Sequence, residues 1–203
     1  MTILAALIES DDLIVMAADS YEMQYHHDVG MYLWDPAEKL SLRVVQTGTI
    51  VWGYTGPGEG AGDVFDAWIR AFPIHDWDGL ESAAMLKVRA INAPVIDDRT
   101  KIINVLIGGY LDGVQRVTGI NPLGRPIIPS ARAVFVGAGG RELAAPAWLA
   151  RSTNGESVDR DALRTSLDSL IDRVPALKGP VRRWELTPSA FKEIKDGPAG
   201  SRL

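Results

Sequence analysis

Two nearly unbroken apolar runs open the chain, Thr2 to Glu9 and Leu13 to Ala18, parted only by Ser10-Asp11-Asp12. A strand with one wet face alternates apolar and polar residues. These runs do not alternate, so each must be covered on both faces. They read as a β-hairpin in the interior of a layered fold. A second apolar pair, Leu40 to Gln46 and Thr49 to Tyr54, turns at Thr47-Gly48 and makes the same demand.

Helices follow each group of strands. Val64, Phe65, Trp68, Ile69 and Phe72 recur at spacings of three and four and predict a helix with one apolar face. A second helix is expected from Asp78, with Asp78 and Glu81 as a capping box, an inward stripe of Leu80, Ala84, Val88 and Ile91, and a stop at Pro94. Strands return at Ile102 to Tyr110 and Val114 to Ile120 around the hairpin signal Asp112-Gly113, then at Ala131 to Val136. A third helix is expected over Arg141 to Ala150. The fourth runs from Val158 to Val174, capped by Ser157 and stopped by Pro175. Val181 to Leu186 is the last strand, and Tyr21 to Glu38 reads as two short strands or a loop. Strands, two helices, strands, two helices, strand is not the regular alternation of a Rossmann sheet. It suits an α+β chain with four layers, α/β/β/α, in which helices cover the outer faces of two stacked sheets.

With 203 residues the chain is expected to be one domain over 1–203, ending in a loose tail from about Asp196. A net charge of −5 does not suit a chain that grips nucleic acid or an anionic membrane. The absence of cysteine excludes disulfides, zinc ribbons, iron–sulfur clusters and thiolate nucleophiles. No apolar run reaches the roughly 18 residues of a membrane span. The first residues lack a basic leader and a cleavage site, so a cytoplasmic protein is expected.

Several patterns could carry chemistry. His26-His27-Asp28 could hold a metal, but neighbouring side chains on an extended segment point to opposite sides, and a solvated loop is the simpler reading. Gly56-Pro57-Gly58-Glu59-Gly60 and Gly137-Ala138-Gly139-Gly140 each join a strand to a helix, as a dinucleotide loop does. Glu59 has the wrong sign for a pyrophosphate, and tight turns need glycine for steric reasons alone. The amino terminus is the sharper signal. Thr2 is small enough for Met1 to be removed, which would leave a threonine at the head of a buried strand. Such a residue combines a hydroxyl nucleophile with an α-amine of pKa about 7.7–8.0, a base near neutral pH.

The order ILAALIESDDLIVMAADS, EKLSL, IVWGYTG, NVLIGGYLDG, FVGAGG resembles the proteasome β-subunit and HslV family of N-terminal-nucleophile (Ntn) hydrolases. The resemblance runs from Thr2 to about Val174. It implies the proteasome-like sandwich and a threonine-type endopeptidase that needs no cofactor. Thr2 matches the nucleophile, Lys39 the lysine beside it, and Asp19 the acid paired with that lysine. Gly53 matches the glycine whose N–H receives the oxyanion. Val51 and Trp52 fall at the substrate pocket, Val51 giving a lining suited to apolar side chains and Trp52 narrowing it. Gly137, Ala138 and Gly139 match the turn facing the active site. The resemblance also implies polypeptide substrates, a homo-oligomeric ring and a partner ATPase unfoldase, though no docking motif is evident. Six tryptophans suit large contacts between subunits as well as a core. Two features depart from the pattern. Ala138 replaces the family's serine, and Val174-Pro175-Ala176-Leu177-Lys178-Gly179 has neither the aspartate nor the serine expected after the last long helix. These losses also suit a catalytically weak or silent assembly protein with the same fold.

Overall fold

The structure is a computed structural model describing residues 2–26, 31–36, 39–56, 58–98 and 101–194. The amino-terminal hairpin is β1 (Ile3–Ser10) and β2 (Leu13–Asp19), joined in register from Leu4↔Ala18 to Ile8↔Ile14. A separate two-stranded hairpin follows, β3 (Tyr21–His26) with β4 (Met31–Pro36). Next come β5 (Ser41–Val45) and β6 (Gly48–Thr55), a wide helical turn over Gly58–Gly62, then α1 (Asp63–Ala71) and α2 (Trp77–Asn92). The strands β7 (Asn104–Leu111), β8 (Val114–Ile120), β9 (Pro126–Ile127) and β10 (Ala133–Gly137) precede α3 (Ala145–Thr153) and α4 (Arg160–Arg173). The hairpin β11 (Val181–Thr187) and β12 (Ala190–Ile194) completes the described chain.

Two five-stranded antiparallel sheets result. One is ordered β10-β1-β2-β11-β12 and the other β5-β6-β7-β8-β9. The apolar runs are explained by where they sit. Along β1, Ile3, Ala5 and Leu7 enter a core with Trp148 of α3 and Leu163, Leu167 and Leu170 of α4. Leu4 and Ala6, facing the other way, meet Val51, Leu106 and Tyr110 of the other sheet. A third core joins Ile50, Trp52, Val105 and Ile107 to Phe65, Ile69, Leu80 and Val88 of α1 and α2. β1, β2 and β6 thus bury two faces, as their composition requires, whereas β5 departs from the same expectation: it is an edge strand whose Leu42 and Val44 are exposed, at 40% and 72%.

Several boundaries differ from the sequence reading. The cap of α2 is Asp76, whose Oδ1 accepts from the Gly79 N–H at 2.7 Å, so the helix begins before Asp78. Glu81 instead reaches across to β8, where it accepts hydrogen bonds from Thr118 and Arg116. Asp159 rather than Ser157 caps α4, accepting from Asp161 and Ala162 N–H, while the Ser157 hydroxyl donates to Asp159. Residues Gly140–Ala144 form a wide turn and α3 starts only at Ala145, with Pro146 in its first turn. Asp112 and Gly113 both have positive φ, 49° and 74°, as a tight hairpin turn needs. The expected loose tail from Asp196, and His27 and Asp28 of the histidine cluster, lie outside the described residues. Among the described residues no group of acids and histidines is placed to hold a metal, and no helix is long and apolar enough to cross a membrane.

Asn92, fully buried at the end of α2, ties that helix to β7. Its Nδ2 donates to the carbonyls of Ile103 at 2.9 Å and Pro122 at 3.1 Å, and its Oδ1 accepts from the Ile103 N–H at 2.9 Å. Asn92→Leu, similar in size, would strand the Ile103 N–H and carbonyl and should cost about 1–3 kcal/mol in urea denaturation. An unchanged unfolding midpoint would show that the side chain is not a structural clamp.

Candidate active site

Thr2 stands just before β1, the second strand of its sheet, between β10 and β2. Because β1 is covered on both sides, its first residue is carried inside with it, and Thr2 is only 7% exposed. Asp19 ends the neighbouring β2, fully buried, and its Oδ1 accepts the Ile3 N–H at 2.9 Å. Lys39 arrives from the other sheet, immediately ahead of β5. Its Nζ donates to Thr2 Oγ1 at 2.9 Å. An ammonium holding a hydroxyl in this way leaves the hydroxyl proton free for a base and stabilises the oxyanion left behind.

Burial raises the Asp19 carboxyl from its ordinary value of 3.8 to about 6, against the opposing pull of Lys39 and of the Ile3 N–H. Asp19 Oδ2 and the neighbouring Ser20 Oγ accept no hydrogen bond from the described residues. The carboxylate is therefore held mainly by one amide and the nearby Lys39 charge, in surroundings that penalise ions.

Two glycines bring backbones together around these side chains. A Cβ at Gly53 would lie 2.5 Å from the Lys39 carbonyl oxygen and 2.9 Å from Leu4 Cδ1. Only hydrogen fits, so β6 lies directly against the backbone of Lys39. Gly137, at φ +102°, approaches Thr2 from β10, where a Cβ would sit 2.1 Å from the Thr2 carbonyl oxygen. The next amide, Ala138 N–H, donates to that carbonyl at 3.1 Å. Gly139 faces elsewhere, towards Leu170 and Val174.

Thr2, Lys39 and Gly53 open onto a cleft of about 240 Å³, lined also by Ser41, Trp52, Tyr54, Gly56, Asp63, Asp66 and Arg70. Trp52, wholly buried under α1, forms part of this wall and donates Nε1–H to Asp66 Oδ1 at 3.1 Å. Val51 is not part of it. Alternation along β6 turns Val51 to the same side as Gly53 but deeper, into the core between the sheets with Leu4, Leu40 and Leu106. The apolar lining expected from Val51 is replaced by the polar residues of α1. Those residues were missed in the sequence, although α1 directly follows the strand that carries Gly53, so its first turns must lie beside the site.

No protein-family model and no curated protein matches the sequence. Solved structures do match. The chain is similar to Anbu (ancestral beta-subunit) from Yersinia bercovieri, at 15% identity and a TM-score of 0.69, over 97% of this chain and 87% of that one. It is similar to the Anbu complex of Pseudomonas aeruginosa, described as a helical assembly, at 17% identity and 0.67, over 98% and 88%. Eukaryotic HslV from Trypanosoma brucei aligns at 17% identity and 0.57, over 92% and 99%. The fold is proteasome-like. At these identities the likeness concerns architecture: mixed helices around two antiparallel sheets.

The site makes two measurable statements about stability and placement. The raised Asp19 pKa means that the folded state takes up its proton at higher pH than the unfolded chain does. Stability from this group therefore rises as pH falls from above 6 towards 4, and is lost as pH rises through the same window. Asp19→Asn should abolish that slope, so denaturation midpoints of the two proteins measured at pH 5 and pH 7.5 should converge at the acid end. A constant gap between them would contradict a raised carboxyl. Gly53→Ala should push Lys39 away from Thr2, visible as a changed Lys39 Nζ environment by NMR, and an undisturbed lysine signal would speak against the close approach.

Proposed function

We propose that the chain is an N-terminal threonine peptidase of the proteasome β-subunit type, acting within a self-assembled complex. The contact of Lys39 Nζ with Thr2 Oγ1 at 2.9 Å carries this reading, because it pairs a hydroxyl with the charge that would activate it. Removal of Met1 would give Thr2 a free amine. That amine, directly or through a water, takes the hydroxyl proton as Oγ1 attacks the substrate carbonyl. Lys39 stabilises negative charge on Oγ1 throughout. Gly53 N–H receives the carbonyl oxyanion, a donor of the kind worth roughly 2.7–4 kcal/mol. The protonated Thr2 amine then returns its proton to the departing amine, leaving an ester on Thr2 that water hydrolyses. Asp19 keeps Lys39 charged and placed. Ala138 N–H holds the Thr2 backbone by its carbonyl, and the bare Cα of Gly137 lets that carbonyl approach.

The rest of the reading follows the same kinship. The helix, sheet, sheet and helix packing suggested by the three cores supports a four-layer sandwich in one domain. Self-association is supported by the helical assembly of the similar Anbu complex, and a homo-oligomeric ring in the cytoplasm is the arrangement we favour. An ATPase unfoldase would suit a closed chamber.

One observation favours a second reading, a silent proteasome-like assembly protein. Ala138 sits beside the Thr2 carbonyl with a methyl where a serine hydroxyl would help to hold the amine. Intact-mass spectrometry separates the two. For a peptidase, the purified protein lacks one methionine mass and gains one β-lactone adduct on Thr2. Thr2→Ala removes both adduct and peptide cleavage while leaving assembly intact, and Lys39→Met slows acylation about a hundredfold or more. Cleavage that persists in Thr2→Ala sinks the assignment, and an unreactive, methionine-bearing complex favours the assembly protein. If Asp19 must be ionised to place Lys39, acylation should fall as pH drops through about 6. An acid limb that stays put in Asp19→Asn would assign it to another group.

A further inference from the structure

Beyond Thr2 and Lys39, the cleft is walled by one face of α1. Asp63, Asp66 and Arg70, at spacings of three and four, all line it, with Trp52 beneath and Ser41 at the rim. Arg70 already shows what this wall can hold. Its guanidinium forks onto Asp66, Nε to Oδ2 at 2.6 Å and Nη2 to Oδ1 at 3.3 Å, and lies 5.1 Å from the Trp52 ring centroid. Nη2 also donates to Ser41 Oγ at 3.2 Å. A carboxylate beside an indole face is chemistry that selects a planar cation.

Charge balance fixes the sign of what is left over. The α1 wall carries two carboxylates and one guanidinium. Asp66 is matched to Arg70, while Asp63, exposed in the first turn of α1, has no ion-pair partner among the described residues. Its place there suits the helix dipole, which is reason enough for an acid at that position but leaves its charge unneutralised at the cleft. Across the cleft, the Lys39 charge is opposed by that of buried Asp19, which leaves Asp63 as the lining carboxylate without a cation of its own among the described residues.

We infer that the cleft selects a basic side chain, lysine or arginine on the acyl side of the bond to be cut, through Asp63 and the Asp66–Arg70 pair. This rests on the peptidase reading of the same cleft and names its substrate class. An apolar side chain would strip water from an ion pair and offer it no partner in return. An acidic side chain would meet Arg70 but face two carboxylates. A basic one reaches Asp63 directly and shares Asp66 with Arg70, since a carboxylate has lone pairs for more than one donor. The expectation of an apolar pocket fails with Val51, which is occupied in the core between the sheets.

Binding to the Thr2→Ala protein separates recognition from chemistry. Capped pentapeptides identical except for Arg, Leu or Glu at the central position are titrated against it by calorimetry. The Arg peptide should bind at least about tenfold tighter than the others, the size of one partly desolvated charge contact. Adding Asp63→Lys on the same background should reverse the order in favour of Glu. Equal affinities, a preference for Leu or Glu, an Arg preference that survives Asp63→Lys, or no binding by any of the three overturns the inference. Acylation of unmodified Thr2 is scored separately. A protein that acylates without preferring Arg sinks only the substrate class, whereas one that prefers Arg without acylating sinks only the peptidase.

Discussion

A strand with no wet face can exist only between two layers, and β1 is such a strand. Its alternate residues enter different cores, Ile3, Ala5 and Leu7 on the side of α3 and α4, Leu4 and Ala6 on the side of the second sheet. Whatever precedes β1 is drawn inside with it. Thr2 is thereby removed from water, and a buried hydroxyl needs a partner. That partner, Lys39, belongs to the other sheet, so the contact exists only because the two sheets are stacked with β5 and β6 facing the head of β1. Architecture and candidate chemistry thus have one cause.

The mixture of helices and two antiparallel sheets was legible because it is written in composition. Unalternating strands and helices with a single apolar stripe leave few other ways to bury both. What composition does not carry is choice among near neighbours. Asp76 and Asp78 both suit the start of α2, and Ser157 and Asp159 both suit the start of α4. In each case the winner is the residue whose backbone is extended while its side chain reaches back to an amide, a matter of φ and ψ that the residue type alone does not decide. The strand β12 escaped notice because Ala190–Ile194 is a short edge strand with its polar side chains in water. At the site, Thr2, Asp19, Lys39 and Gly53 could be proposed only through the resemblance of the ordered motifs to the proteasome β-subunit family, and their convergence is a matter of distances between sheets. Val51 shows the limit. It shares a face of β6 with Gly53, yet lies deeper and is wholly buried between the sheets, and depth along a strand is not written in residue type.

Gly53 and Gly137 add a steric condition to the electrostatic one. Each stands where a neighbouring carbonyl oxygen would collide with any Cβ, that of Lys39 at 2.5 Å and that of Thr2 at 2.1 Å. The two catalytic candidates are therefore positioned through their main chains, with little slack left to their side chains. For Lys39, whose long side chain has much rotamer entropy to lose, a fixed backbone reduces what must be ordered further to keep Nζ on Oγ1.

Elsewhere several buried polar groups are tied down, although Thr47 Oγ1 is also without a hydrogen bond among the described residues. Asn92 makes three hydrogen bonds, and Arg160 joins Glu9 of the first hairpin to Glu185 of β11. Around Thr2 the pattern inverts. Asp19 is fully buried, its Oδ2 and the Ser20 Oγ beside it have no hydrogen-bond partner among the described residues, and burial holds the Asp19 carboxyl near 6. A fold selected for stability alone would place an apolar residue at the end of β2, continuing the run Ile14, Val15, Met16, Ala17, Ala18. A carboxylate there destabilises the folded chain at neutral pH, and the cost is offset in part by its hydrogen bond from the Ile3 N–H and by the nearby Lys39 charge. That local conflict, with two adjacent buried atoms unpartnered among the described residues and a carboxyl raised by burial, is the physical reason to regard this end of the sheets as a site rather than as ordinary interior.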